Sequence, residues 1–189
     1  MAQALQLKQP YAQADLLSEL RSLEGLYRHY YDAVFNYLLQ MSGSRELAEE
    51  LSQETFIKAG AALINFRGDC TPSTWLFRIA RNSYIDYIRR PSATRIKTDQ
   101  LLALPDEGHY GDPVRQYAAS EQRSLIGIAL GQLPEKLRTI LLLRDAEGLA
   151  YAEIADVLNI SLSAVKINLF RARNAFRIAY EMLSREDHS

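Results

Sequence analysis

The sequence predicts an all-α protein made of two small helical domains joined by a flexible linker, the second of them a helix-turn-helix domain. Apolar residues recur at three- and four-residue steps on both sides of the middle of the chain, which is the period of a helix buried on one face. No strand-like alternation extends beyond a few residues. Between the two helical parts, residues 91–120 contain Pro91, Pro105, Pro113 and two glycines, and about thirty such residues inside one compact domain are uncommon.

These observations divide the chain into four parts. We expect an amino-terminal extension at 1–22, a first helical domain at 23–90, a linker at 91–120 and a second helical domain at 121–189. A length of 189 residues allows two small domains, and 48% apolar with 24% charged residues is ordinary globular usage. That composition excludes a disordered chain, a collagen and a coiled-coil rod.

Three helices are predicted in the first domain. The first covers 23–39 and has an apolar stripe at three- and four-residue steps. The second follows Ser44, a good N-cap residue. The third covers 72–90, where Thr71 supplies the cap and Pro72 the first-turn proline.

The sequence of the second domain predicts a helix-turn-helix. A helix begins at Pro134 and is closed by Gly148, and a short helix follows at 150–158. Asn159 tolerates the left-handed conformation of a tight turn, and Ser161 caps the next helix. The apolar stripe of that last helix faces the domain, while its opposite face combines cations with Ile167 and Phe170. Such a second helix is typical of one that enters the major groove of DNA, where apolar groups contact thymine methyls.

The charge is close to zero overall but unevenly distributed. The net charge of −1 argues against a nucleic-acid partner when taken alone. Residues 45–54, however, carry four glutamates and one arginine, residues 75–90 carry four arginines and one aspartate, and residues 161–177 carry four cations and no acid. The third helix of the first domain also aligns Trp75 with arginines and Asn82, a combination that suits binding of a single nucleic-acid strand.

The sequence also excludes several other classes of protein. No apolar run approaches the roughly twenty residues of a membrane-spanning helix, and the amino end lacks a signal-peptide pattern. The single Cys70 cannot form an intrachain disulfide, and these three features together predict a cytoplasmic protein. The three histidines are scattered, and no phosphate-binding loop, metal-ligand cluster or nucleophile motif is found. We therefore expect no enzyme, no metal and no cofactor.

Seven segments in order resemble the core of bacterial RNA polymerase sigma factors of the extracytoplasmic-function (ECF) class. The resemblance covers about 23–90 and 121–180. It rests on Ala48-Glu-Glu-Leu-Ser-Gln-Glu-Thr-Phe56, Phe66-Arg-Gly-Asp69, Thr74-Trp-Leu-Phe-Arg-Ile-Ala-Arg-Asn82, Asp86-Tyr-Ile-Arg-Arg90, Leu133-Pro-Glu-Lys-Leu-Arg138, Gly148-Leu-Ala-Tyr-Ala-Glu-Ile-Ala155 and Ala164-Val-Lys-Ile-Asn-Leu-Phe-Arg-Ala-Arg173.

The resemblance implies three binding surfaces for a transcription initiation factor that docks on core RNA polymerase and opens promoters. The core polymerase surface comprises Glu49, Glu50, Gln53 and Glu54. The single-stranded −10 element is bound by Phe66, Arg67, Gly68, Asp69, Trp75, Arg78, Asn82, Asp86 and Arg89. The duplex −35 element is read by Ser161, Ser163, Lys166, Ile167, Asn168, Phe170, Arg171 and Arg173. The resemblance also implies a role in stress response and a further partner, an anti-sigma factor, which is often membrane-anchored.

Some positions depart from the family pattern, and two other functions compete. Ile167 and Asn168 stand where small polar and basic residues are common, which predicts weaker phosphate contact and an altered −35 preference. Cys70 stands where serine is frequent, and we interpret it as an inert thiol. The first alternative is a one-component helix-turn-helix regulator that binds duplex operators. It gives no role to the face of the third helix that carries Trp75 or to the acidic second helix. An adaptor that docks on polymerase without reading DNA leaves the outward face of the last helix unexplained.

Overall fold

The structure is a computed structural model that describes residues 22–91, 122 and 124–186, and these contain helices and no strand. The first domain has α1 (Leu23–Ser42), α2 (Arg45–Ala62), a 3-10 turn (Leu63–Asn65) and α3 (Pro72–Arg89). The second has α4 (124–131), α5 (Glu135–Leu141), a π turn (Leu142–Ala146), α6 (Tyr151–Leu158) and α7 (Leu162–Glu186). The predicted all-α class is confirmed. Apart from Ser22 and Pro91, the predicted extension and linker lie outside the described residues.

The helices of the first domain begin where local hydrogen bonds satisfy their free N–H groups. The Ser44 hydroxyl accepts from the Leu47 N–H at 3.3 Å, and the Thr71 hydroxyl accepts from the Thr74 N–H at 3.2 Å. Both predicted caps are confirmed, and each is worth about 1 kcal/mol. Between α1 and α2, Gly43 takes a left-handed φ of 68°, which a side chain would strain.

The three helices pack around one apolar centre. Tyr37 of α1 and Phe77 of α3 are almost fully buried, and their rings meet edge to face with centroids 5.5 Å apart. One face of α2 is buried at Ala48, Leu51 and Ala59, and at Thr55, whose hydroxyl donates back to the Leu51 carbonyl at 2.7 Å. The opposite face of α2 is thereby left to solvent.

The second domain contains the predicted helix-turn-helix. Asn159 adopts the left-handed conformation with φ 51°, and the Ser161 hydroxyl accepts from the Ala164 N–H at 3.2 Å. Before this unit, the Glu147 N–H bonds to the Leu142 carbonyl at 3.0 Å, five residues back, so the end of α5 is a π turn. Burial raises the pKa of the Glu147 carboxyl, at the end of this turn, to about 7.

The two domains pack on each other and share one hydrophobic core, which the sequence did not predict. The buried hydroxyls of Tyr37 and Thr139 lie 3.5 Å apart across the boundary. The Met41 carbonyl, at the end of α1, accepts from the Arg138 guanidinium of α5 at 2.7 Å. In addition, Arg81 of α3 lies 3.4 Å from the Glu135 carboxylate of α5.

Candidate functional site

The outward face of α2 is acidic at its start and apolar at its end. Glu50 and Gln53 are exposed, and within the described part of the chain neither makes an ion pair or side-chain hydrogen bond. Glu49, half-buried, pairs with Arg45 at 2.9 Å one turn earlier. Ile57, on the same face, is 72% exposed. An exposed isoleucine beside carboxylates suits docking on a basic partner surface with an apolar centre.

Glu54, the fourth residue predicted on this surface, also belongs to the contact between α2 and α3. Its carboxylate lies 2.6 Å from the Lys58 ammonium and 4.0 Å from Arg90. Lys58 also donates to the Ser83 hydroxyl at 3.0 Å and lies 4.0 Å from Asp86. Glu54 therefore braces α2 against the end of α3 and is less exposed than Glu50 and Gln53, and its role at the polymerase surface stays a prediction.

The loop at 66–73 carries an aromatic pair. The rings of Phe66 and Trp75 approach with centroids 4.8 Å apart, and both side chains are half-buried. Gly68 takes a left-handed φ of 78°, so the loop turns sharply there, and Arg67 and Asp69 beside it are exposed. An aromatic platform flanked by a cation is the usual means of stacking an unpaired base.

The face of α3 that follows this loop is polar and open. Asn82, Asp86 and Arg89 are exposed, as their spacing predicts. Arg78 is half-buried, and its Nε has no hydrogen-bond partner in the structure. Burial raises the pKa of the Cys70 thiol and outweighs the opposing effect of Arg78, which supports an inert rather than a reactive cysteine.

The outward face of α7 combines two cations with two apolar groups. Lys166 and Arg171 are exposed, and neither forms an ion pair with any described residue. Ile167 is 53% and Phe170 70% exposed, although large apolar side chains are usually buried. Of the other predicted contacts, Ser161 and Ser163 are exposed and Asn168 is half-buried. This face has the chemistry of major-groove readout, with cations for phosphates and apolar groups for thymine methyls.

Arg173 is exposed but already paired. Its Nε donates to Asp145 Oδ2 at 3.0 Å, and its terminal nitrogen reaches Oδ1 of the same carboxylate. This two-point contact holds the recognition helix α7 to the π turn, and the hydrogen bond to Asp145 raises the pKa of Arg173. Sequence reasoning missed Asp145, because no local pattern links residues 28 positions apart.

Glu153 of α6 is a second residue that sequence reasoning missed. Its Oε2 accepts from the Ala150 N–H at 2.8 Å and so caps its own helix. Its Oε1 accepts from the hydroxyls of Thr71 at 2.8 Å and Thr74 at 3.1 Å, both in the first domain. Burial acts to raise the pKa of this carboxyl, but the three hydrogen bonds outweigh it and the pKa is lowered.

Comparison with known proteins identifies two family regions in this chain. The family Sigma-70 region 2 matches residues 26–94, and Sigma-70, region 4 matches residues 125–176. The RNA polymerase sigma factor YlaC of Bacillus subtilis is 35% identical over 155 residues, covering 80% of this chain and 88% of that protein. The ECF RNA polymerase sigma factor SigM of the same organism is 30% identical over 159 residues, covering 84% and 95%. The chain belongs to the ECF sigma factors.

A sigma factor is a transcription initiation factor, the dissociable subunit that directs core RNA polymerase to promoters. The fold agrees, since the sigma factor RpoE, solved in complex with the anti-sigma factor NepR from Bartonella quintana, superposes with a TM-score of 0.63. That comparison covers 90% of this chain and 97% of that one at 22% sequence identity. No helix of this sigma factor, over the residues described, is both long and apolar enough to cross a membrane.

Proposed function

We propose that this sigma factor binds its three partners through separate surfaces. The outer face of α2, with Glu49, Glu50 and Gln53, docks on core polymerase. The loop at 66–73 and the open face of α3 hold the single-stranded −10 element. The outer face of α7 reads the −35 duplex. All three act by binding, so the chemistry of RNA synthesis stays with the polymerase, and the factor works in the cytoplasm beside it.

The observation that carries this proposal is the outer face of α7. A solvated helix end needs no exposed aromatic side chain, yet Phe170 is 70% and Ile167 53% exposed between the cations Lys166 and Arg171. Burying those two side chains against thymine methyls recovers a hydrophobic contribution that is otherwise lost to solvent, on the order of 1 kcal/mol or more for each. A one-component regulator also uses such a face, but it gives no role to Glu50, Gln53 or the Phe66–Trp75 pair, so the α7 face together with those residues favours the sigma factor.

Run-off transcription with purified core polymerase tests the proposal. The templates carry fragments of the source genome, and initiation at discrete start sites that requires the factor is the expected result. A Gln53→Ala and Glu50→Ala double variant should abolish initiation by preventing holoenzyme formation, while the matched control Glu24→Ala, at an exposed position of α1, retains it. Binding of duplex operators by the factor alone, without promoter-specific initiation on any template, would support the one-component regulator and overturn the proposal.

We also propose that an anti-sigma factor restrains this protein. The support is an apolar cleft of about 300 Å³ where α1, α4, the π turn and α7 meet, lined chiefly by Ile126, Leu130, Leu141, Leu142 and Phe176. The buried Oε1 of Gln40, which also lines the cleft, has no hydrogen-bond partner in the structure. A partner helix with apolar side chains and one donor fits this cleft.

The cleft is tested by Ile126→Glu, a change of a half-buried residue at its edge. A protein that co-purifies with the wild-type factor, inhibits its run-off transcription and fails to inhibit the variant is the expected result. If such an inhibitor acts equally on both factors, it binds elsewhere and the cleft is not its site.

A further inference from the structure

The ammonium group of Lys58 joins α2 to α3 beside the open face of α3. It lies 2.6 Å from the carboxylate of Glu54 on its own helix. Across the contact between the helices it donates to the Ser83 hydroxyl at 3.0 Å and lies 4.0 Å from the Asp86 carboxylate. Because Ser83 is fully buried in α3, this hydrogen bond fixes the ammonium group against that helix. Asp86 therefore has a cation held beside it on the α2 side.

The Asp86 carboxylate is open to a ligand. Its side chain is 59% exposed, and its contact with Lys58 at 4.0 Å is an ion pair without a hydrogen bond. Within the described part of the chain, no N–H or O–H group donates to either of its oxygens. Since the two oxygens of an ionised carboxylate can accept about four hydrogen bonds, the acceptor capacity of Asp86 is unused.

A carboxylate on a face that binds a phosphate strand needs cations near it, because like charges at close range oppose binding. The adjoining cluster of Lys58, Arg90 and Glu54 has two positive charges and one negative charge, and the sum of +1 offsets the −1 of Asp86. Arg89, three residues further along α3, is exposed and forms no ion pair with any described residue. A strand can therefore approach Asp86 without net repulsion and place a phosphate against Arg89.

A carboxylate distinguishes bases by their donors, because in its ionised form it only accepts hydrogen bonds. Adenine, cytosine and guanine each have an exocyclic amino group, whereas thymine has none and presents carbonyl oxygens that a carboxylate repels. Asn82, one turn earlier on the same face, is also exposed, but its amide both donates and accepts and therefore suits any base. Of these two neighbours, only Asp86 has the chemistry to reject thymine.

We propose that Asp86 reads an exocyclic amino group on one unpaired base of the −10 element, and that Lys58 is the positioning residue that holds Asp86 for this contact. This rests on the proposed role of the open face of α3 in binding the −10 strand. The Watson–Crick edge of an unpaired base is free to make the contact. Asp86 thereby adds a preference against thymine at one position, which the neighbouring cations do not supply.

The test removes single amino groups from the DNA. Holoenzyme made with core polymerase is titrated with fluorescent single strands that carry the −10 element of a promoter mapped by run-off transcription. In each strand one base is replaced by an analogue without its exocyclic amino group: purine for adenine, 2-pyrimidinone for cytosine or inosine for guanine. At one position the wild-type holoenzyme should lose affinity about ten-fold or more, as expected for a hydrogen bond to a charged group.

Asp86→Asn should relax this preference without weakening binding of the natural strand. At the sensitive position the analogue and the natural base should bind within about two-fold of each other, because an amide can donate where the amino group is missing. Thymine at that position should bind the variant about ten-fold more tightly than it binds the wild type. The matched control Asp32→Asn, at an exposed position of α1, should behave as the wild type.

The role of Lys58 is tested at the same position of the strand. Lys58→Met removes the cation and should reduce the preference about three-fold, whereas Lys58→Arg keeps the cation and should retain it. A merely structural role would instead lower affinity for every strand by the same factor.

Three results would overturn the inference. They are a wild-type holoenzyme with no position sensitive to loss of an amino group, a preference that persists in full in Asp86→Asn, and, for the positioning role, a preference unchanged in Lys58→Met. Run-off transcription by the wild-type holoenzyme is scored separately. Initiation without a base preference at Asp86 rejects this inference alone, whereas absence of promoter-specific initiation rejects the proposed function.

Discussion

The ion pair between Arg173 and Asp145 leads to a quantitative prediction about salt. Four cations lie on α7 between Lys166 and Arg177, but Arg173 is held by Asp145 and Arg177 by Glu181 at 3.2 Å. Lys166 and Arg171 are left to meet phosphates. Each phosphate contact contributes about 0.9 to the slope of log affinity against log salt for duplex DNA. Arg171→Ala should therefore flatten that slope by about 0.9, whereas Arg173→Ala should change it little.

The change in this slope can be measured between 50 and 200 mM salt. Over that range one phosphate contact amounts to a factor of about 3.5 in affinity. Reconstituted holoenzyme is titrated against a fluorescent duplex that carries the −35 element, and the wild-type affinity should fall about 3.5-fold more than that of Arg171→Ala. Asp145→Asn releases Arg173 and should steepen the slope by up to about 0.9.

The control for this series is Arg185→Ala, near the end of α7 and away from the predicted reading face. Equal flattening by Arg171→Ala and Arg173→Ala would falsify the reasoning, because Arg173 would then contact DNA in spite of Asp145. An unchanged slope in Arg171→Ala would mean that its guanidinium meets no phosphate.

Three further predictions concern single side chains. Trp75→Ala should leave core polymerase binding intact but reduce opening of the −10 region roughly 5- to 160-fold, since stacking a base is worth about 1–3 kcal/mol. Permanganate footprinting and a polymerase binding assay measure the two effects, and equal losses in both would assign Trp75 to the core. Glu147→Gln tests the carboxyl whose pKa is raised to about 7. Because the folded state disfavours the charged form of this carboxyl, the stability of the wild type should fall as pH rises from about 4.5 to 7 and then level off. Urea unfolding should show the variant to be more stable than the wild type by about 1 kcal/mol at pH 8, after allowance for solvent screening, and equally stable at pH 4. A constant difference at all pH values would contradict this. Ser161→Ala should lower the free energy of unfolding by about 1 kcal/mol through loss of the α7 cap, and by more than Ser163→Ala, which removes the neighbouring hydroxyl but leaves the cap. An unchanged free energy of unfolding in Ser161→Ala would contradict this.

The features predicted correctly from sequence are those set by near neighbours. The caps at Ser44, Thr71 and Ser161 each bond to an N–H three residues ahead, and the left-handed turn at Asn159 is one residue long. The apolar period then decides which face of each helix is buried, and so which side chains are presented outward. Local chemistry determines all of these, and the first three helices of the structure begin at the predicted residues.

The features missed are those that join distant parts of the chain. Glu153 and Thr71 are 82 positions apart, and the charge of each segment alone gave no sign that a carboxylate of the second domain lies against the first. Likewise no sequence pattern indicated that Glu54, which the resemblance places on the polymerase surface, also lies near Arg90 at the end of α3. Whether a charged side chain is available depends on its three-dimensional partners, which helical spacing does not report.

The π turn at Leu142–Ala146 imposes a constraint on chain length. Its i to i+5 hydrogen bond accommodates one residue more than an α-helix does over the same turn, and each residue rotates the helix by about 100°. Deleting one residue there would restore a regular helix and carry Asp145 about a quarter turn away from Arg173. A single residue at this turn thus sets the angle between α5 and α7, and we expect its deletion to reorient α7 while leaving every side chain on the outer face of α7 unchanged.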